Sequence, residues 1–367
     1  MCRVLFPRSV PGYKSAMKSP LSCRFWLCAA LSLLLAAVPR QAGAEQAQPR
    51  ILAVPANAAW QHAETGMILP PQATGLKRHE IRDSTDAEMD VIADYADEAD
   101  GLVATIYLYR TMTPDVALWF DRAATVIQLR PGWGLQNVPL PAPTAFARPG
   151  ASAASGLRLA FDVNMPEARS TALAIAPLGT NWLLKVRLSA TRLDRAALDE
   201  RLTAFIQALR WPAESAPGRA AVPIAACPSP LRLRTARVVR TDMSASLIDA
   251  VGGQMAAEHE GPPPVYCREP GGTLEQGVYR PNGATDAYLI ALGDSGGALS
   301  LAEALDLSAL LGSGGGGRRI AMTLLGRNGT SVYPSFNRLP PPEQALEVMR
   351  RTGSTISVTT GNPPQHK

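Results

Sequence analysis

The sequence predicts an α+β fold of two lobes, each an antiparallel sheet with covering helices, and three observations lead to it. Strand-like runs and amphipathic helical stretches follow in the order strands, helix, strands, helix, without the regular alternation a parallel sheet needs. Short turn signals join neighbouring strands, which is hairpin chemistry. A Pro/Gly/Ala stretch, Pro212-Ala213-Glu214-Ser215-Ala216-Pro217-Gly218, separates two segments that each hold such elements. The expected layout is a removed signal at 1–44, a sandwich lobe at 50–212, a linker at 213–226, a second lobe with one disulfide at 227–362 and a flexible tail at 363–367.

In the first lobe, Met89 to Tyr95 and Leu102 to Tyr109 flank Ala96-Asp97-Glu98-Ala99-Asp100-Gly101 and read as a hairpin. The acidic run from Asp83 to Asp100 invites a calcium reading, but counting back from Gly101 puts Ala96 where an EF-hand loop needs an acid. A solvated turn is the expectation. Thr113-Pro114 then opens a helix in which Val116, Trp119, Phe120, Ala123 and Ile127 share one face. Three further strands are Gly156 to Val163, Thr171 to Ala176 and Trp182 to Ala190, the last two joined by Leu178-Gly179-Thr180-Asn181. Asp194 caps a closing helix with the stripe Leu198, Leu202, Phe205, Ile206 and Leu209, which Trp211-Pro212 stops.

One stretch of this lobe carries a resemblance. Thr65-Gly66-Met67-Ile68-Leu69-Pro70, Gly75-Leu76-Lys77-Arg78 and Val103-Ala104-Thr105-Ile106-Tyr107-Leu108-Tyr109 resemble the opening of a set of uncharacterised exported bacterial proteins. The likeness covers residues 62–110 and implies a small α+β sandwich of the PsbP/Mog1 kind. It implies no activity.

The second lobe reads as a strand from Leu231 to Arg240 and a helix from Ser244 to Glu258 with Leu247, Ile248, Val251 and Met255 on one side. Gly252-Gly253 weakens that helix by about 1 kcal/mol per glycine. Strands follow at Asp286 to Leu292, Arg319 to Gly326 and Thr330 to Phe336, with Asn328-Gly329 as a hairpin signal between the last two. A helix from Pro342 to Arg351 and a strand from Ser354 to Thr360 complete it.

Composition narrows the function classes. The chain is 46% hydrophobic and 18% charged, apolar enough to build real cores. Its net charge of +5 sits in the first 44 residues, whose six basic residues face no acid; the remainder has 30 basic and 31 acidic residues. That balance argues against a nucleic-acid partner. Arg232, Arg234, Arg237 and Arg240 have no aromatic interleaving, and Gly314 to Gly317 lacks the Gly-Lys-Ser/Thr ending of a phosphate loop.

The leading segment has the form of an export signal. Lys14, Lys18 and Arg24 precede the apolar run Phe25 to Val38, and Ala42-Gly43-Ala44 supplies a small-residue cleavage site. The run of 14 residues rises about 21 Å as a helix, short of the roughly 30 Å hydrocarbon core, so no transmembrane segment is expected in the mature chain. No cysteine follows the run where a lipid anchor would need one, and Met17 offers an alternative start. Cys227 and Cys267 alone remain after cleavage, the number for one disulfide in an oxidising compartment. With histidines only at His62, His79, His259 and His366, and no metal-ligand spacing, neither a metal nor a cofactor is expected.

One motif carries chemistry. Gly293-Asp294-Ser295-Gly296-Gly297 matches both the Gly-Asp-Ser-Gly-Gly of trypsin-like proteases and the Gly-x-Ser-x-Gly elbow of α/β-hydrolases. The protease reading fails on its surroundings, because no histidine lies in the expected context and the first lobe has helices. The hydrolase reading makes Ser295 the nucleophile, Ala298 to Leu311 the following helix and His366 the base, but His366 is the penultimate residue. The competing reading is a hairpin turn, since Tyr288, Ile290 and Leu292 alternate before the motif and Leu299 and Leu301 after it. The sequence therefore leads to a periplasmic or secreted non-catalytic module with another envelope protein or a small ligand as partner; the alternative is a serine hydrolase using Ser295 and His366. Mature protein is expected to begin at Glu45, and the intact mass of exported material checks this.

Overall fold

The computed structural model describes residues 49–359 except 98, 100, 215–217, 258–262 and 306–318. The signal reading, His259, His366 and the tail lie outside these residues. The first lobe runs through β1 (Arg50–Ile51), β2 (Trp60–Gln61), β3 (Ile68–Leu69), β4 (Gln72–Ala73), β5 (Leu76–Asp83), β6 (Asp90–Asp97) and β7 (Leu102–Arg110). Helix α1 (Val116–Leu129), β8 (Thr144–Phe146), β9 (Gly156–Met165), β10 (Ala168–Pro177), β11 (Trp182–Ala190) and α2 (Arg195–Ala208) complete it. The second lobe holds β12 (Ala225–Ala226), β13 (Val238–Val239), α3 (Met243–Ala257), β14 (Tyr266–Arg268), β15 (Gln276–Pro281) and β16 (Tyr288–Leu292). It ends with β17 (Gly297–Glu303), β18 (Ile320–Leu325), β19 (Gly329–Phe336), α4 (Pro342–Thr352) and β20 (Ile356–Thr359).

Each lobe is built on one sheet. The first has the order β1-β5-β6-β7-β11-β10-β9-β8, with β4 on β5, and all its pairs are antiparallel. The second has the order β12-β14-β15-β16-β17-β18-β19-β13, with β20 on β19; only β12 and β14 are parallel. Strands dominate, and the four helices among the described residues cover less of the sheets than the sequence suggests.

Alternation assigns the faces. Ala104, Ile106 and Leu108 of β7 join Leu184, Val186 and Leu188 of β11 beneath Leu198, Leu202, Phe205 and Ile206 of α2. The opposite face carries Tyr109, Leu173, Ile175 and Leu183, and α1 packs there through Trp119, Phe120, Ala123 and Ile127. That second core does not stop at the lobe boundary: it includes Tyr279, Leu289, Ala291, Ala298 and Leu325 of the second sheet. A third core, Tyr288, Ile290, Leu299, Leu301, Met322 and Phe336 with Ala345 and Leu346 of α4, lies on the far side of that sheet.

Local chemistry sets the ends of the helices. Asp194 caps α2, its Oδ1 accepting from Ala197 N at 2.9 Å. At α1 the cap is Asp115, whose Oδ1 accepts from Leu118 N at 2.7 Å, two residues later than Thr113-Pro114 suggested. The expected strand from Leu231 to Arg240 shrinks to β13. Side chains take the backbone groups before it: Ala236 N donates to Gln344 Oε1 at 2.9 Å, and Leu231 N to Glu269 Oε2 at 3.1 Å.

Cys227 and Cys267, 40 positions apart in sequence, form a disulfide with Cα atoms 4.9 Å apart. It fastens the segment entering the second lobe beside β12, where Cys227 N also donates to Arg268 O at 2.9 Å. Cys267→Ser should cost about 4 kcal/mol through the lost loop constraint, read as a lower melting temperature of the unreduced protein.

Candidate functional site

The Gly293–Gly297 motif is the turn of the β16–β17 hairpin, with Leu292 opposite Gly297 and Ile290 opposite Leu299. The chain after it is a strand, where a nucleophile elbow would require a helix. Gly293 and Gly296 both have positive φ, at 61° and 93°. At Gly296 space is also short: a Cβ there would lie 2.9 Å from Thr111 Cβ and 3.0 Å from Tyr109 Cδ2. This turn is pressed against the first lobe.

Four side chains hold it. Thr111 Oγ1 donates to Gly296 O at 2.7 Å, and Arg122 Nε of α1 donates to Gly293 O at 2.9 Å. Lys185 Nζ of β11 donates to Asp294 O at 2.9 Å and lies 3.0 Å from Asp294 Oδ2. Arg327, in the β18–β19 turn, donates to Ser295 Oγ at 3.1 Å and to Asp90 Oδ2 at 2.6 Å.

The register explains why these groups converge. Asp90 stands opposite Tyr109, and Tyr109 opposite Leu183. Lys185 stands opposite Tyr107, two residues along the same face. The same face continues through Arg187, Thr105 and Asp94, and Lys185 is only 2% exposed, its Nζ 4.3 Å from the centre of the Tyr107 ring.

Burial shapes the charges. It lowers the Lys185 pKa against the opposing pull of Asp294, and raises that of Asp90 against Arg327 and Lys185. Burial also pushes Asp294 upward, but Lys185, Arg187 and Arg122 outweigh it and hold the carboxyl below its ordinary value. The Tyr109 hydroxyl and Arg122 Nη1 are buried without a hydrogen-bond partner among the described residues.

A cleft of about 380 Å³ opens beside this seam. Phe120, Ala124 and Leu159 line it from the first lobe, Pro139–Pro143 form one rim, and Pro223 and Ile224 another. Its polar end is Asp121, which pairs with Arg268 at 2.5 Å and accepts from Tyr279 OH at 2.9 Å. Asp121 is driven up by burial and restrained by Arg268 and Tyr279.

Ser295 Oγ has Arg327 as its hydrogen-bond partner, and no histidine bonds it among the described residues. His79 is exposed on β5. His62 is buried: Nε2–H donates to Glu88 O at 3.0 Å, and Nδ1 accepts from Thr65 N at 3.1 Å. Among the described residues no group of histidine, cysteine and carboxylate side chains is disposed to hold a metal, and no helix is long and apolar enough to cross a membrane. No family model, curated protein or solved structure matches the chain.

Lys185, Asp90, Arg122 and Arg327 were not singled out by sequence reasoning. A lysine inside Trp182-Leu183-Leu184-Lys185-Val186 was the available signal, because a charge within an apolar strand demands a buried partner.

His62 yields a pH test. Burial lowers its pKa, opposed by the Glu88 carbonyl and by Glu64 and Asp83. The unfolded chain therefore binds the proton at higher pH than the folded one. Stability from this group is whole above the ordinary histidine value of about 6.5 and is lost as pH falls below it. Urea midpoints should drop between about pH 7 and 5, and His62→Gln should flatten that part of the curve.

Proposed function

We propose that this chain is an exported, soluble, non-catalytic module of the bacterial envelope or its exterior, with the Gly293–Gly297 turn as a structural latch between its lobes. The observation that carries this reading is the full engagement of the turn: Gly293, Asp294, Ser295 and Gly296 each take a hydrogen bond from the first lobe or from the Arg327–Asp90 pair. A nucleophilic serine needs a base placed to receive its proton, whereas Ser295 Oγ accepts from a guanidinium, which has no proton-accepting capacity.

Export is supported by the basic, apolar and small-residue segments up to Ala44 together with the disulfide. The same reading keeps the likeness of residues 62–110 to sandwiches of the PsbP/Mog1 kind as a proposal about fold. The cleft between α1 and the proline-rich rims is the place for a small ligand or a segment of another envelope protein, since it sets Phe120, Leu159 and Ile224 beside polar groups of Asp121, Thr125, Gln128 and Arg268.

A fluorophosphonate probe separates this from a serine hydrolase. Labelling of Ser295 should be absent, and Ser295→Ala should change stability by no more than about 1 kcal/mol, the net worth of one hydrogen bond. Labelling of wild type that disappears in Ser295→Ala overturns the proposal. Loss of that labelling on removal of residues 363–367 would assign the base to His366.

A further inference from the structure

We propose that Lys185 and Asp294 condense to an amide, a covalent bond between the two lobes formed by the folded chain itself. The amine and carboxyl are already in reach: Lys185 Nζ is 3.0 Å from Asp294 Oδ2, and its second bond, to Asp294 O at 2.9 Å, fixes the amine over that residue. Contact of this kind replaces a bimolecular encounter and supplies the large effective concentration that slow condensations need.

The choice of lysine supports the proposal. The chain has only five lysines, Lys14, Lys18, Lys77, Lys185 and Lys367. Of the two among the described residues, Lys77 is exposed on β5 and Lys185 is buried. Other ion pairs whose carboxylate is buried, Arg50–Asp83, Arg280–Glu269, Arg319–Asp249 and Arg327–Asp90, use arginine, which binds carboxylates in a better-fitting fork and is never neutral. An amine at this contact between the lobes provides what a guanidinium lacks, a neutral nucleophilic form that burial favours.

The surroundings fit the reaction. Tyr107 covers the amine, which is almost fully buried, while the Asp294 side chain is 31% exposed, so the water released has a way out. Asp90 lies on the same face of the sheet, is 8% exposed, and reaches Ser295, the neighbour of Asp294, through Arg327. Its carboxylate bears on the Lys185 ammonium through its charge, while the proton passes to Asp294 Oδ2, 3.0 Å from Nζ, the oxygen that departs with it. In the step, Nζ attacks Cγ of Asp294, the Cγ–Nζ bond forms and the bond from Cγ to one carboxylate oxygen breaks. Two of the three ammonium hydrogens leave with that oxygen as one water, and the third stays on the amide nitrogen. No oxidant, metal or co-reactant enters.

Mass spectrometry of the purified full chain decides it. Wild type should be lighter than the matched sequence by one water, beyond the two hydrogens of the disulfide, and Lys185→Arg from the same preparation should show no such deficit. A tryptic digest should leave Lys185 uncut within a branched peptide that also contains Asp294. Wild type at full mass, with Lys185 and Asp294 on separate linear peptides, overturns the proposal. A water deficit located elsewhere does so equally.

Discussion

A desolvated amine constrains the rest of the molecule. Moving an ammonium out of water costs several kcal/mol even after relaxation, and the neighbours of Lys185 on that face are Leu183, Tyr107, Ile175 and a second cation, Arg187. It needs a carboxylate, and the first sheet places none beside it within hydrogen-bond reach. The partner comes from the second lobe, so the β16–β17 turn has to sit where Asp294 meets Nζ. From that follow the close approach that leaves no room for a side chain at Gly296, the donation from Thr111, and the position of Arg122 under Gly293.

Arginines extend the same logic to the irregular parts of the chain. Arg78 is 5% exposed and donates to Leu69 O at 2.9 Å, Pro55 O at 3.1 Å and Ala58 O at 2.7 Å, holding down the stretch before β5 where few strands form. Arg280 donates to Ala284 O at 3.2 Å and to Ser229 O, while Glu269 neutralises it. Each planar guanidinium satisfies several carbonyls that no ladder reaches, which lets long connectors lie against the cores without stranding polar groups.

How far the sequence disclosed this depends on whether a feature is local. Helix α2 was legible because cap, stripe and stop all lie within about twenty residues, and the turn at 293–297 because alternation on both sides is a property of the strands themselves. The stretch from Leu231 to Arg240 misled for a matching reason: it alternates like a strand, but Gln344, Asn337 and Glu269 intercept its backbone groups from far along the chain. The seam was the least legible part. Lys185, Asp90, Arg122 and Arg327 come from four separate elements, and only strand register and lobe packing bring them together.

The core that runs across the lobe boundary also bears on the order of events during synthesis. The first lobe leaves the ribosome with α1 in place but with Tyr109, Leu173 and Leu183 turned toward a surface that does not yet exist. The inner face of the second sheet, with Leu289, Ala291 and Leu325, has no other cover when it follows. Each half has a core of its own, but the face that closes the shared core is covered only when both are present, which favours coupled folding of the two. Until then the nascent protein presents sticky surface together with an unneutralised amine, the kind of intermediate that holding chaperones capture.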